Sequence, residues 1–178
     1  MKYLIPESIE TPRLLLRQFK ESDNEVYSRL MQNTEIVRYL DNGNKLNPFE
    51  CWHHLSMLLG HWNLKGYGCY AVEEKSNKQL IGKIGLYSPH QWPGIELTWL
   101  LDPNFHNKGF ASEAANAILK CCFENNVCTE LISIIHPNNA NSIKLAQNLK
   151  MNLLDSKKVT SNASLFYHIN KTDWENNV

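Results

Sequence analysis

Glu96-Leu97-Thr98-Trp99-Leu100-Leu101-Asp102-Pro103-Asn104-Phe105-His106-Asn107-Lys108-Gly109-Phe110-Ala111-Ser112-Glu113-Ala114 reads as an apolar strand, a tight turn and the small-residue start of a long amphipathic helix. A helix start leaves backbone N–H groups without partners, and the helix dipole places partial positive charge there. Gly109 and Ala111 keep side chains clear, so a phosphate can approach those donors closely. The stretch has the outline of a cofactor cradle. Along the strand, alternation puts Ile95, Leu97, Trp99 and Leu101 on one face and Glu96, Thr98 and Leu100 on the other.

Working outward, Thr11 to Phe19 predicts a strand through Leu14, Leu15 and Leu16. Ser22-Asp23-Asn24-Glu25 has the form of a capping box, so a helix should start at Asp23. A second helical piece spans Glu35 to Leu40, and a polar loop follows from Asp41 to Asn47. Asn47-Pro48-Phe49-Glu50 repeats the start signal with Pro at the first helical position. The helix it opens should bury Trp52, Leu55, Leu59 and Trp62. Tyr67 to Glu73 and Gln79 to Tyr87, joined by a polar turn, predict a hairpin. Beyond the central stretch come a helix from Phe110 to about Asn125, a strand from Glu130 to His136, and a helix from about Asn139 to Lys150. Two strands, Leu153 to Val159 and Ser164 to Asn170, close the order. No linker or repeat interrupts it, so one α/β domain over residues 1–178 is expected.

The composition narrows the function. With 43% hydrophobic and 20% charged residues and a formal net charge of zero, the chain suits a globular protein without a large basic footprint. No nucleic-acid partner is expected. No apolar run approaches the roughly 20 residues of a membrane span, and the N-terminus lacks a signal-peptide core. Five cysteines without C-x-x-C spacing read as reduced thiols, and hence as a cytoplasmic protein. Cys51-Trp52-His53-His54 does not make a metal site, because neighbouring helical residues point to different faces and no second ligand pair is spaced to match.

The element order resembles the GNAT family of acetyl-CoA-dependent N-acetyltransferases. The chain is most similar to the branch that acetylates ribosomal-protein N-termini, the RimJ/RimL-like group. The resemblance covers roughly residues 9–174 and rests on Glu10-Thr11-Pro12-Arg13-Leu14-Leu15-Leu16-Arg17, Glu96 to Asp102, His106 to Glu113, Asn139-x-x-Ser142, Tyr167 and Trp174. It implies a mixed α/β sheet, splayed at its centre and flanked by helices, with acetyl-CoA as co-substrate and no metal. Relatives carry Gln or Arg where His106 stands, and Gly-Phe where Lys150-Met151 stands.

Mapped onto this chain, the family places the coenzyme pyrophosphate on His106, Asn107, Lys108, Gly109, Phe110 and Ala111. A backbone N–H at Leu100 or Leu101 would polarise the thioester carbonyl, and Asn139 would touch the pantetheine or cap its helix. Glu96 is the candidate base for the amine, against the plainer reading of a paired or solvated strand carboxylate. Ser142 and Tyr167 are the candidates for protonating the leaving thiolate, against an early-helix hydroxyl and a half-buried strand tyrosine. Trp92, in a Pro-flanked loop, is placed near the acceptor entry. The expected acceptor is a primary amine, on a protein N-terminus or a small molecule, and the expected state a monomer or homodimer. A non-catalytic acyl-CoA-binding module is the alternative, since a fold alone does not establish turnover.

Overall fold

A computed structural model describes residues 3–40, 43–154 and 164–176. Its centre is an eight-stranded sheet in the order β1-β2-β3-β4-β5-β6-β8-β7, antiparallel except where β5 (Glu96–Leu101) meets β6 (Glu130–Ile135). The predicted strand from Thr11 to Phe19 is instead the second arm of a hairpin. β1 (Ser8–Glu10) folds back on β2 (Leu14–Arg17) around Thr11-Pro12-Arg13. The Thr11 N–H bonds the Leu14 carbonyl, and Pro12, which has no N–H to give a ladder, occupies the turn. β3 (Cys69–Glu74) and β4 (Gln79–Tyr87) form the expected hairpin, with a bulge that leaves Ile81 unpaired between Leu80 and Gly82.

That bulge changes which side chains share a face. Leu80 packs with α1 (Asn24–Gln32), α2 (Thr34–Val37) and α3 (Pro48–Lys65), whereas Ile81, Ile84 and Leu86 pack toward α4 (Phe110–Glu124). The sheet is therefore cored on both faces. Leu97 and Leu101 join the α4 side and Leu100 the α1–α3 side, as the alternation predicts.

Local starts and stops follow capping chemistry, with some departures from expectation. Asn47 and Glu50 cap α3 reciprocally at 3.0 and 2.8 Å, as their spacing predicts. The start expected at Asp23 is displaced by one residue, and the Asp23 carboxylate binds Arg17 (2.7 and 2.9 Å) and the Lys20 N–H (2.8 Å). A 3-10 turn precedes α1 instead, which begins at Asn24. The second helical piece stops at Val37, short of Leu40. Trp52, expected in the core, is 47% exposed, since the α3 face toward the sheet is set by Cys51, Leu55, Leu58 and Trp62. α5 (Ala140–Asn148) ends on Lys150, which takes φ 59° where relatives have Gly, while Met151 N–H still bonds the Ala146 carbonyl. β7 (Asn152–Leu154) pairs with β8 (Leu165–Asn170), and the rest of the strand predicted to Val159 lies outside the described residues. A short α6 (Lys171–Glu175), not foreseen, sets Trp174 against Phe123.

Candidate active site

The sheet opens between β5 and β6. Only Glu96 and Ile132 are in register across this parallel pair, whereas β4 and β5 keep six registered pairs. The Ile95 carbonyl accepts from Ile132 N–H, the Leu97 carbonyl from the Ser133 hydroxyl at 2.7 Å, and the Leu101 carbonyl from the His106 ring at 3.0 Å. These odd-numbered residues thus turn their peptide groups toward the opening. By the alternation of an extended strand, the Trp99 and Leu101 N–H groups point there too, and that of Leu100 points to β4. Of the two amides expected to polarise a carbonyl, Leu101 is the one so aimed.

Below the opening lies a cleft of about 460 Å³. It is lined by Trp99 to Leu101, by the loop residues His106, Asn107, Gly109, Phe110, Ala111 and Ser112, and by Asn139 and Ser142 of the α5 start. Asp102 Oδ1 takes the Asn104 N–H at 2.9 Å and starts a 3-10 turn over Pro103–Phe105. Asn107 at φ 59° and Gly109 at φ 80° then reverse the chain into α4. The amides of the first α4 turn have no carbonyl a turn earlier to bond, so they face the cleft as free donors. A Cβ on Gly109 would sit 3.3 Å from Arg13 Nη2, besides being strained at that φ. The cradle fits a pyrophosphate by backbone geometry and by that missing side chain. Among the described residues, no group of three or more His, Cys, Asp or Glu side chains could hold a metal ion.

Not all the predicted residues converge. Lys108 does not line the cleft: its carbonyl is tied to Arg13 Nη1 at 2.8 Å and its ammonium lies 5.0 Å above the Phe105 ring. The Phe110 side chain is buried in the core, leaving its backbone at the cleft. His106 donates Nε2–H to the Leu101 carbonyl, an acceptor only, so the ring links strand to loop. Asn139 caps α5 through the Ser142 N–H at 3.2 Å. Ser142 Oγ accepts Trp99 Nε1–H at 3.0 Å, which leaves its own O–H to donate. Tyr167 is 5% exposed, belongs to the α4-side core and lies outside the cleft.

Sequence reasoning missed the brace behind the loop. Glu113, on the first turn of α4, takes the Thr11 hydroxyl (2.6 Å), the Arg13 N–H (2.9 Å) and Arg13 Nε (2.6 Å). Burial works against its charge, but these donors hold its carboxyl below the ordinary value. The Arg13 guanidinium also stacks on Phe110 at 4.4 Å. The motif around Arg13 therefore clamps the cradle from outside. The spacing from Thr11 to Glu113 gives no local signal for it.

On the α1–α3 side of the same strand, Glu96 is 8% exposed. Its Oε2 accepts Trp92 Nε1–H at 2.8 Å, and the Ile134 N–H on β6 also favours its charged form. Burial dominates and pushes its pKa up to about 7, with both donors and Lys83 pulling the other way. Trp92 stands edge-on to Tyr87, 5.8 Å between centroids, and Tyr87 stacks on His61 at 5.4 Å. His54, on α3, lies 2.9 Å from the Tyr27 hydroxyl, while His53 turns outward against Phe49.

A buried carboxyl, a splayed strand and a backbone cradle suited to a phosphate thus lie along β5, and the comparisons place the chain in a family. The chain is 27% identical to the uncharacterized N-acetyltransferase YnaD of Bacillus subtilis over 143 residues, 80% of this chain and 81% of that one. The acetyltransferase structure from Agrobacterium tumefaciens superposes with a TM-score of 0.81 at 26% identity, covering 93% of this chain and 94% of that one. RimL, a ribosomal L7/L12 α-N-protein acetyltransferase solved with coenzyme A, shares the fold with a TM-score of 0.78 at 16% identity, covering 96% and 98%. The profile of the acetyltransferase (GNAT) domain matches residues 13–152, and with that match spanning cradle, splay and Glu96 alike, the chain belongs to the GNAT acetyltransferase family.

Proposed function

We propose that the protein moves an acetyl group from acetyl-CoA to a primary amine by direct attack, with both substrates bound together and Glu96 as the base. Family membership makes it an acetyl-CoA-dependent acetyltransferase, and the proton routes and the acceptor are the proposal. When bound, acetyl-CoA supplies the thioester carbonyl to be attacked. The loop amides from Asn107 to Ser112 hold the nucleotide end, and charge-assisted hydrogen bonds of this kind contribute about 1.5–3 kcal/mol each. That remote binding positions the reacting carbon. Leu101 N–H, aimed into the splay, donates to the carbonyl as charge develops on it. Glu96 takes a proton from the acceptor's ammonium, directly or through water, and so frees the nitrogen lone pair that attacks the thioester carbonyl. The Ser142 hydroxyl, oriented by Trp99, donates toward the departing sulfur.

The single observation that carries this reading is Glu96: enclosed, held by Trp92, and titrating at about 7, where a general base works best near physiological pH. The test is thiol release from acetyl-CoA across a panel of primary amines, with the products weighed by mass spectrometry. Release should require amine, and initial-rate plots should intersect as in a ternary complex. Acetylation of the protein itself on mixing with acetyl-CoA alone would overturn direct attack.

A further inference from the structure

The α1–α3 face of β4 and β5 carries a second charged group beside Glu96. Lys83 pairs with Leu100 and Tyr87 with Glu96, so both lysine and glutamate sit on the same face two registers either side of Gly85 and Thr98. The bulge at Ile81 is what turns Lys83 to that face. Its charge acts on the Tyr27 phenol, whose hydroxyl lies 2.9 Å from His54 Nδ1. Among the described residues, Lys83 makes no direct ion pair. It nevertheless stays half-buried rather than sealed, as do His54, Tyr87 and Thr98 around it.

The neighbours do not neutralise it. His54 is driven to about 3 by burial and by the Lys83 charge, and is therefore neutral. Burial raises the Tyr27 phenol and lifts the Cys69 thiol to about 11, so both keep their protons. Burial opposes the Lys83 charge as well, but the groups around it, Glu96 among them, hold its pKa above the ordinary value. A half-buried ammonium with no direct ion pair, sharing its face with the Glu96 carboxyl alone among acidic groups that act on it, has room for an anionic partner. We propose that Lys83 receives a carboxylate of the acceptor, so that the substrate is a small amine carrying its own anionic group, an amino acid in zwitterionic form, with its nitrogen toward Glu96. This rests on the acetyltransferase reading above. The two charges of such an acceptor match the two ends of the face: ammonium to Glu96, carboxylate to Lys83.

The experiment compares each of the common L-amino acids with its own amide in the thiol-release assay, for the wild-type protein and Lys83→Met. Binding to the CoA-loaded protein is followed in parallel by calorimetry. An amide neighbour lowers the amine's pKa and supplies more free base, so intrinsic reactivity favours the amides. The expected result is an opposite preference: at least tenfold higher kcat/KM, or tenfold tighter binding, for one or more of the free acids. Lys83→Met should erase that preference through KM while leaving CoA affinity unchanged. Equal or better use of the amides by the wild type overturns the proposal, as does an equal loss for acids and amides in Lys83→Met, or failure of every free acid to bind or react. Lys83→Arg, which retains the charge, should retain the preference and separates charge from packing. Failure of CoA itself to bind would instead undo the acetyltransferase reading.

Discussion

The two halves of the site are built differently. The cofactor half is backbone: the outward amides of β5, the turn through Asn107 and Gly109, and the first turn of α4, all within residues 99–112. The proposed acceptor half is side chain: Tyr27 of α1, His54 of α3, Lys83 of β4 and Glu96 of β5, from four elements. A site made of peptide groups needs only the right local conformation, so it tolerates changes of side chain such as His106. A site made of side chains depends on each one's charge state, which its enclosure sets. Damage to the first half should therefore act on every acceptor alike, and damage to the second should depend on pH and on the acceptor.

The largest effect is expected at Gly109. Gly109→Val puts a β-branched residue at φ 80° and crowds Arg13, so CoA affinity measured by calorimetry should fall by about 100-fold. If acetylation of different amines were to fall unequally, the two halves would not be separable. Next, Glu96→Gln should lower kcat/KM by about 10²-fold with CoA affinity unchanged. In the wild type the carboxylate form is lost as pH falls through about 7, so the rate should fall there, and the variant should lack that limb. Stability carries the opposite sign. The folded pKa lies above the ordinary carboxylate value of 4.5, so the Glu96 contribution is fully present below that value and is lost as pH rises through about 7. Glu96→Gln should accordingly melt higher than the wild type at pH 8, with the gap closing toward pH 5. A constant gap would place the carboxyl in water and remove its tuning.

Smaller effects test what supports each half. Arg13→Ala removes the clamp on Glu113 and Lys108, and should raise the KM for acetyl-CoA several-fold with little change in kcat at saturation. Its cost to stability should be about 1 kcal/mol, because the arginine side chain is 47% exposed and screened by water. A fall in kcat alone would mean that the brace serves chemistry rather than cofactor binding. Smallest, Lys150→Gly relieves a left-handed residue at φ 59° and should stabilise by about 0.5 kcal/mol, read as a small rise in Tm without change in either KM.

Legibility followed the same division. The capping pair Asn47–Glu50, the alternation of β5 and the glycine at 109 act over a few residues, and each can be read from neighbours in sequence. The start expected at Asp23 moved by one residue because its carboxylate serves the preceding 3-10 turn through the Lys20 N–H as well as Arg17, and Trp52 misled because apolar spacing alone does not say which face of α3 meets the sheet. Tyr167 is a candidate only through the family resemblance, and its strand turns it into the α4-side core. The clamp at Glu113 and the ring around Lys83 join residues tens of positions apart, and no local pattern announces either.

Sequence alone determined most of the element order and the glycine-bearing turn into α4, because periodicity, caps and glycine requirements are short-range properties of the chain, and its motifs carried the resemblance that implied the splay and the family. Tertiary structure decided which amide points into the splay, which side of the sheet Lys83 faces, and how far burial lifts the Glu96 carboxyl. Those depend on strand pairing, a single unpaired residue and the exclusion of water. All three exist only once distant segments are packed together.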